Sequence, residues 1–102
     1  MLMSAADYRE SLRKYKPRVF VNGRRVESVS DEPLLAPGLN AIGVTYDFAR
    51  NERLRPVMTA QQAPGGRVVN RFLHINRSGA DLLNKLEAVR LVCQASGCAQ
   101  RY

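Results

Sequence analysis

The chain has 102 residues, 45% of them apolar and 25% charged, which suits one small folded domain and leaves no room for a second. It has no run of about eighteen apolar residues for a membrane-spanning helix, and two cysteines are too few for a disulfide scaffold. Sixteen Lys and Arg against nine Asp and Glu give a net charge of +7. That balance suits acidic ligands, phosphates, nucleic acid or an acidic partner surface, and does not choose among them. The opening segment carries charge too early for a secretory leader, so a cytoplasmic location is expected.

The first predicted element is a helix. Ser4 and Asp7 have the spacing of a short capping box, and Met3 and Tyr8 that of a hydrophobic staple. Tyr8, Leu12 and Tyr15 fall on one face, and Pro17 ends the helix. A hairpin follows, with Val19 and Val21 before Asn22-Gly23 and Val26 after it. Asn-Gly suits a type I′ turn, whose two central residues both need positive φ. A lone hairpin is marginal in water, so it is expected to lie against the first helix.

Residues 31–38 carry two prolines and a glycine and read as a crossing loop. The spacing of Leu39, Ile42, Tyr46 and Ala49 predicts a second helix over 39–50, widened by Val44 and Phe48. Gly43 lowers its propensity and permits a close backbone approach. Residues 51–77 have weak periodicity. Leu54 to Met58 suggest a short helical turn interrupted at Pro56, residues 61–66 a loop, and Val68-Val69 a short extended piece. So long an irregular stretch is expected to wrap another surface.

The last predicted helix starts at Ser78, with Asp81 again in the capping position. Leu82, Leu86, Val89 and Cys93 form its expected core stripe, broadened by Leu83, Leu91 and Val92. No stop is evident, and the pattern runs on to Tyr102, which points to an incomplete domain. Three helices, one hairpin and long loops make a mostly α fold with one β-hairpin.

The motifs that carry chemistry are few. Arg24-Arg25 and the stretch Arg67 to Arg77 are basic, but lack the aromatic interleaving of a nucleic-acid surface; solvated charge or intrachain pairing is expected. His74, the sole histidine, has no cysteine or carboxylate at ligand spacing, so its expected role is structural or at the surface. Residues 62–66 match no phosphate loop. Cys93 belongs to the apolar stripe and reads as an inert thiol. Cys98 lies about 140° away by helical phase and shares a face with position 102. Two cysteines so spaced would grip one iron–sulfur cluster, but position 102 is Tyr.

Four stretches carry a resemblance: MLMSAADYRESLRKYKPRVFVNGRRVE, LNAIGVTYDFA, VVNRFLHINRSGADLLNKLEAVRL and SGCAQRY. Together they resemble the N-terminal part of the 4-hydroxyphenylacetate 3-hydroxylase family of flavoproteins, and lean toward its 4-hydroxybutyryl-CoA dehydratase/vinylacetyl-CoA isomerase branch. The resemblance implies an N-terminal helical domain like that of the acyl-CoA dehydrogenases, spanning 1–102 and incomplete relative to the family's full chain. It implies homotetramers that bind FAD between domains. In the dehydratase branch it also implies a [4Fe-4S] cluster held by three cysteines and one histidine. That branch converts 4-hydroxybutyryl-CoA to crotonyl-CoA and isomerises vinylacetyl-CoA in 4-aminobutyrate metabolism.

Residue by residue, Cys98 matches the first cysteine of the cluster motif Cys-Phe-Gln-Arg-Cys. Ala99 replaces the Phe, Gln100 and Arg101 match, and Tyr102 stands at the second cysteine. Cys98 is therefore a vestigial ligand position. No catalytic residue is assigned to this chain, and no cofactor is expected in it alone. Its expected partners are another copy or the missing flavin-binding domains, with an acyl-CoA in the full-length protein, and neither nucleic acid nor membrane. The alternative is a non-catalytic remnant that acts as an oligomerising module.

Overall fold

A computed structural model describes residues 2–99. In chain order the described residues form α1 (Ala5–Tyr15), β1 (Phe20–Val21), β2 (Arg24–Arg25), α2 (Ala36–Arg50), α3 (Arg55–Met58), β3 (Thr59–Gln61), β4 (Val68–Asn70) and α4 (Gly79–Ser96). Single 3₁₀ turns cover Val29–Asp31 and Arg71–Leu73. The expected mostly helical character stands, with two antiparallel hairpins in place of one.

The capping box of α1 forms as its spacing requires. Ser4 Oγ accepts the Asp7 N–H at 3.1 Å, and the Asp7 carboxylate accepts the Ser4 N–H at 2.9 Å. Those donors hold the Asp7 carboxyl below its ordinary range. The expected inward face of α1 is only partly realised, because Tyr15 is exposed and Ala5 is the one fully buried residue of the helix. The reason is the way α1 crosses α2. A Cβ on Gly43 would sit 2.9 Å from the Ala5 Cβ, so Gly43 lets the two backbones touch. Around this crossing the Ala5 N–H donates to Asp47 at 2.8 Å, and Tyr8 stacks on Tyr46 with ring centroids 4.9 Å apart. Arg9 bonds Asn40 further along α2.

The first hairpin turns at Asn22 and Gly23, with φ of 51° and 76°. Val26 donates back to the Val19 carbonyl at 2.8 Å and is buried. Both strands otherwise face outward, and Phe20 is exposed beneath the Arg18 guanidinium. Beyond β2, Asp31 is bound by Arg13 of α1 at 2.8 Å and by Ser28 at 2.7 Å.

Three boundaries differ from the sequence expectation. Helix α2 starts at Ala36 rather than Leu39, because Pro37 lies in its first turn, where a missing N–H costs nothing. Pro56 likewise opens α3 instead of interrupting it. Residues 51–77 are not a long irregular wrap. They hold α3 and a hairpin in register Thr59↔Asn70, Ala60↔Val69 and Gln61↔Val68.

The core sits where α2, α3 and α4 meet. Ala49, Met58, Ala88 and Val92 are buried together, with Leu54, Val57 and Phe72 packed against them. Here the expected core stripe of α4 is realised at Val92 and fails at its leucines. Leu82, Leu83 and Leu86 are 54%, 70% and 66% exposed, whereas Ala88 and Val92 are fully buried. Met58, itself fully buried, fills the space beside this small-residue side of α4. Leucines rotated into that contact would overpack it.

Helix α4 also has a stop. Gly97 adopts the left-handed conformation at φ 64°, and its N–H bonds the Cys93 carbonyl. The described chain has principal extents of 44 × 29 × 23 Å. Its radius of gyration is 15.0 Å, against about 13 Å for a compact chain of this length.

Candidate functional site

The end of α4 carries the residue that sequence reasoning singled out. Cys98 is exposed and has φ 62°, so it lies beyond the helix, and its N–H bonds back to the Cys93 carbonyl at 2.7 Å. The helical phase assumed for Cys98 and Tyr102 therefore does not apply at Cys98, because the backbone reverses at Gly97. Tyr102, Gln100 and Arg101 lie outside the described residues. Cys93 is half-buried on α4. Among the described residues no three His, Cys, Asp or Glu side chains gather as metal ligands. A cubane cluster takes four ligands, and Cys98 is one exposed thiol. The described residues do not fit a cluster.

The charged residues that do converge lie at the base of the second hairpin. Arg71, in the 3₁₀ turn after β4, is 4% exposed. Its Nε donates to the Val57 carbonyl at 2.9 Å, and its Nη2 to those of Thr59 at 2.6 Å and Pro56 at 3.4 Å. The guanidinium thus takes up carbonyls that the four-residue α3 and the start of β3 leave unpaired. Its Nη1 lies 3.5 Å from the Asp81 carboxylate. Asp81 also accepts the Arg77 N–H at 2.8 Å and faces His74 Nε2 at 3.1 Å. The Arg77 N–H first, then His74, holds the Asp81 carboxyl below its ordinary range against opposing burial.

The His74 side chain is buried, in keeping with a structural role. Its carboxylate neighbour is seven positions away in sequence, and the fold delivers it. His74 Nδ1 is buried without a partner among the described residues, as is Asn76 Oδ1. Beside this node Asn70 Nδ2 donates to the Thr45 carbonyl of α2 at 2.9 Å, and its Oδ1 accepts the Phe72 N–H at 3.1 Å. Sequence reasoning treated Arg71 as one of a basic run and passed over Asn70 and Asp81 as partners. The Ser78–Asp81 cap was the one visible signal, since it fixes where Asp81 sits.

The basic run thus divides. Arg71 is spent inside the fold, whereas Arg24 and Arg25 are exposed on the first hairpin. Residues 62–66 form the connection of the second hairpin, closed by Gln62 N–H to the Arg67 carbonyl at 3.1 Å. On the other side of α4, Leu82, Leu83 and Leu86 form an outward apolar face, and Leu73 and Ile75 are exposed just before that helix. No helix among the described residues is long and apolar enough to cross a membrane.

Structure and site together define a mostly helical module, sealed around a buried arginine on one side and apolar on the other. Residues 4–102 match the family described as 4-hydroxyphenylacetate 3-hydroxylase N terminal, and the chain belongs to that family. It is 36% identical over 102 residues to the 4-hydroxybutyryl-CoA dehydratase/vinylacetyl-CoA-Δ-isomerase of Clostridium aminobutyricum, covering 99% of this chain and 21% of that protein. The oxygen-tolerant archaeal 4-hydroxybutyryl-CoA dehydratase from N. maritimus superposes with a TM-score of 0.84 at 36% identity, over 95% of this chain and 19% of that one. The oxygenase component of 4-hydroxyphenylacetate 3-monooxygenase, solved with FAD, shares the fold at a TM-score of 0.74 and 22% identity, over 91% and 19% of the two chains. The chain therefore spans about one fifth of the length of these relatives.

Proposed function

We propose that this chain is the N-terminal lobe of a flavin-dependent protein of the 4-hydroxybutyryl-CoA dehydratase/vinylacetyl-CoA isomerase type, serving 4-aminobutyrate metabolism in the cytoplasm and inactive alone. The observation that carries this reading is the combination of 36% identity along 99% of the chain with coverage of only 21% of the dehydratase. About four fifths of the relative lies outside the matched region. The outward apolar face at Leu82, Leu83 and Leu86 supports a docking role, since apolar area of that kind is normally covered.

In this reading FAD, the acyl-CoA and any cluster belong to the assembled protein. Cys98 occupies a vestigial ligand position, because Tyr102 offers a hard phenolate where iron prefers thiolate. The exposed leucines favour a second reading, in which the chain is a non-catalytic module that pairs with another copy of itself.

The test is the native mass and anaerobic visible spectrum of the protein produced from its own locus, followed by vinylacetyl-CoA isomerase assay. Flavin absorbance, a co-purifying polypeptide or longer chain, and isomerase activity are expected. A colourless dimer of an 11.4 kDa chain would establish the self-pairing module instead, and a colourless monomer would overturn both readings.

A further inference from the structure

A second charged region is mostly unpaired within the fold. Two adjoining cavities of about 160 and 370 Å³ lie between the end of α2, the start of α3 and β4, sharing Leu2 and Val68. Arg50 and Arg55 line the larger one, and Arg67 the smaller. The three arginines come from three different segments: the last residue of α2, the first of α3, and the residue before β4. No carboxylate is among the described residues that line either cavity. Arg50 has one distant ion pair, 4.0 Å from Asp7. The side chains of Arg55 and Arg67 have no hydrogen-bonded or ionic partner among the described residues, unlike the fully engaged Arg71.

The rest of the lining is mainly apolar, with Ala49, Val68 and Leu2 beside the Tyr46 ring. Burial and the neighbouring Tyr8 push the Tyr46 phenol up, so it stays neutral. Guanidinium groups present paired N–H donors that match phosphate oxygens. Arginines that line one recess with a single distant carboxylate among them repel one another, and a dianion relieves that repulsion. The two recesses together have the size of a small-molecule site.

We propose that this cleft binds a phosphate monoester or pyrophosphate whose adjoining part is apolar, with Arg50, Arg55 and Arg67 on the phosphate and Leu2 and Val68 against the apolar part. The geometry stands apart from the flavin reading and needs no other polypeptide.

The test is a titration of the isotope-labelled chain with inorganic phosphate, pyrophosphate and n-butyl phosphate, followed by amide NMR. Shifts should concentrate at Arg50, Arg55, Arg67 and Val68, with n-butyl phosphate binding more tightly than inorganic phosphate. The double variant Arg55→Gln/Arg67→Gln should weaken pyrophosphate binding about tenfold or more. The pair Arg24→Gln/Arg25→Gln removes the same charge from the first hairpin and should leave binding unchanged. Equal weakening by both double variants, or shifts spread over the hairpin, would reduce the effect to net charge and overturn the site. Butyl phosphate binding no tighter than phosphate would overturn the apolar half of the assignment. Should a variant fold poorly, the shifts of the unaltered chain still locate the bound phosphate, and shifts away from the three arginines would overturn the site.

Discussion

The two hairpins of this molecule are built on opposite principles. The first, β1–β2, is held by its turn: Asn22 and Gly23 take positive φ, and little but Val26 is buried. The second, β3–β4, has a Pro-Gly-Gly connection, and Thr59, Asn70 and the adjoining Arg71 are buried and bonded to α2, α3 and α4. One hairpin is a local device projecting from the fold, and the other is a tertiary clamp at its centre. A strand pair can thus draw its stability from the φ preferences of two residues, or from buried polar groups far away in sequence. Mutations should separate the two cases.

The largest effect is expected at Arg71. Arg71→Ala leaves three buried carbonyls without their donor and removes one of the partners of Asp81, and should cost about 3–5 kcal/mol by urea denaturation. It should release amide protection through β3, β4 and α3 together, while the first hairpin keeps its exchange pattern. Asn70→Ala removes the tie to Thr45 and the Phe72 N–H bond, and should cost about 1–3 kcal/mol. A loss confined to β4, with α2 unaffected, would show that the clamp is less cooperative than described.

Gly23→Ala places a Cβ at φ 76° and should cost about 1 kcal/mol. Its effect should stay local: the β1–β2 amides lose protection and the global urea midpoint hardly moves. A global midpoint shift as large as that of Arg71→Ala would erase the distinction between the hairpins.

The smallest effect is the pH response of the two exits. Asp31, after the first hairpin, is held at about 2 by Arg13 and then Ser28, from an ordinary 3.8. A folded-state pKa below the unfolded one contributes stability above the unfolded value, and the contribution fades as pH falls through the folded one. The Arg13–Asp31 tie should therefore persist down to about pH 4 and be lost toward pH 2. Asp81, after the second hairpin, is also lowered, so its contribution has the same sign. Asp31→Asn should remove the acid response from the end of α1 and the turn at Val29–Asp31 alone, and Asp81→Asn from β3–β4 and the first turn of α4. A common response at both exits in either variant would mean the two regions titrate as one.

The same contrast explains how much of the molecule could be read without its structure. The α1 cap, the Asn-Gly turn, the α4 start at Ser78 and the close approach at Gly43 all follow from nearest neighbours or from one residue's missing side chain. The helix start at Ala36 was hidden by proline, and Pro56 read as an interruption of the turn it opens, because proline marks a first turn as readily as a break. The α4 stripe was misread because periodicity finds apolar residues but does not say which side a neighbour covers. The stop at Gly97 was legible as a glycine, and reading the helix through it produced the mistaken phase for Cys98. The family could be read from whole stretches of sequence, and the chain's match over residues 4–102 bears that out. The Arg71 node could not, because its partners lie 10 to 15 positions away and only the packing of α3 against α4 joins them.

By itself, then, the sequence determined the helical segments, their caps, the first turn and the family, because each depends on short-range geometry or on many residues at once. The tertiary structure alone decided which side of α4 is buried, which arginine is sealed in and which are left free, and that the second hairpin exists. Those outcomes depend on where Met58, Ala88 and Val92 let the helices meet, and that contact fixes every longer-range partner.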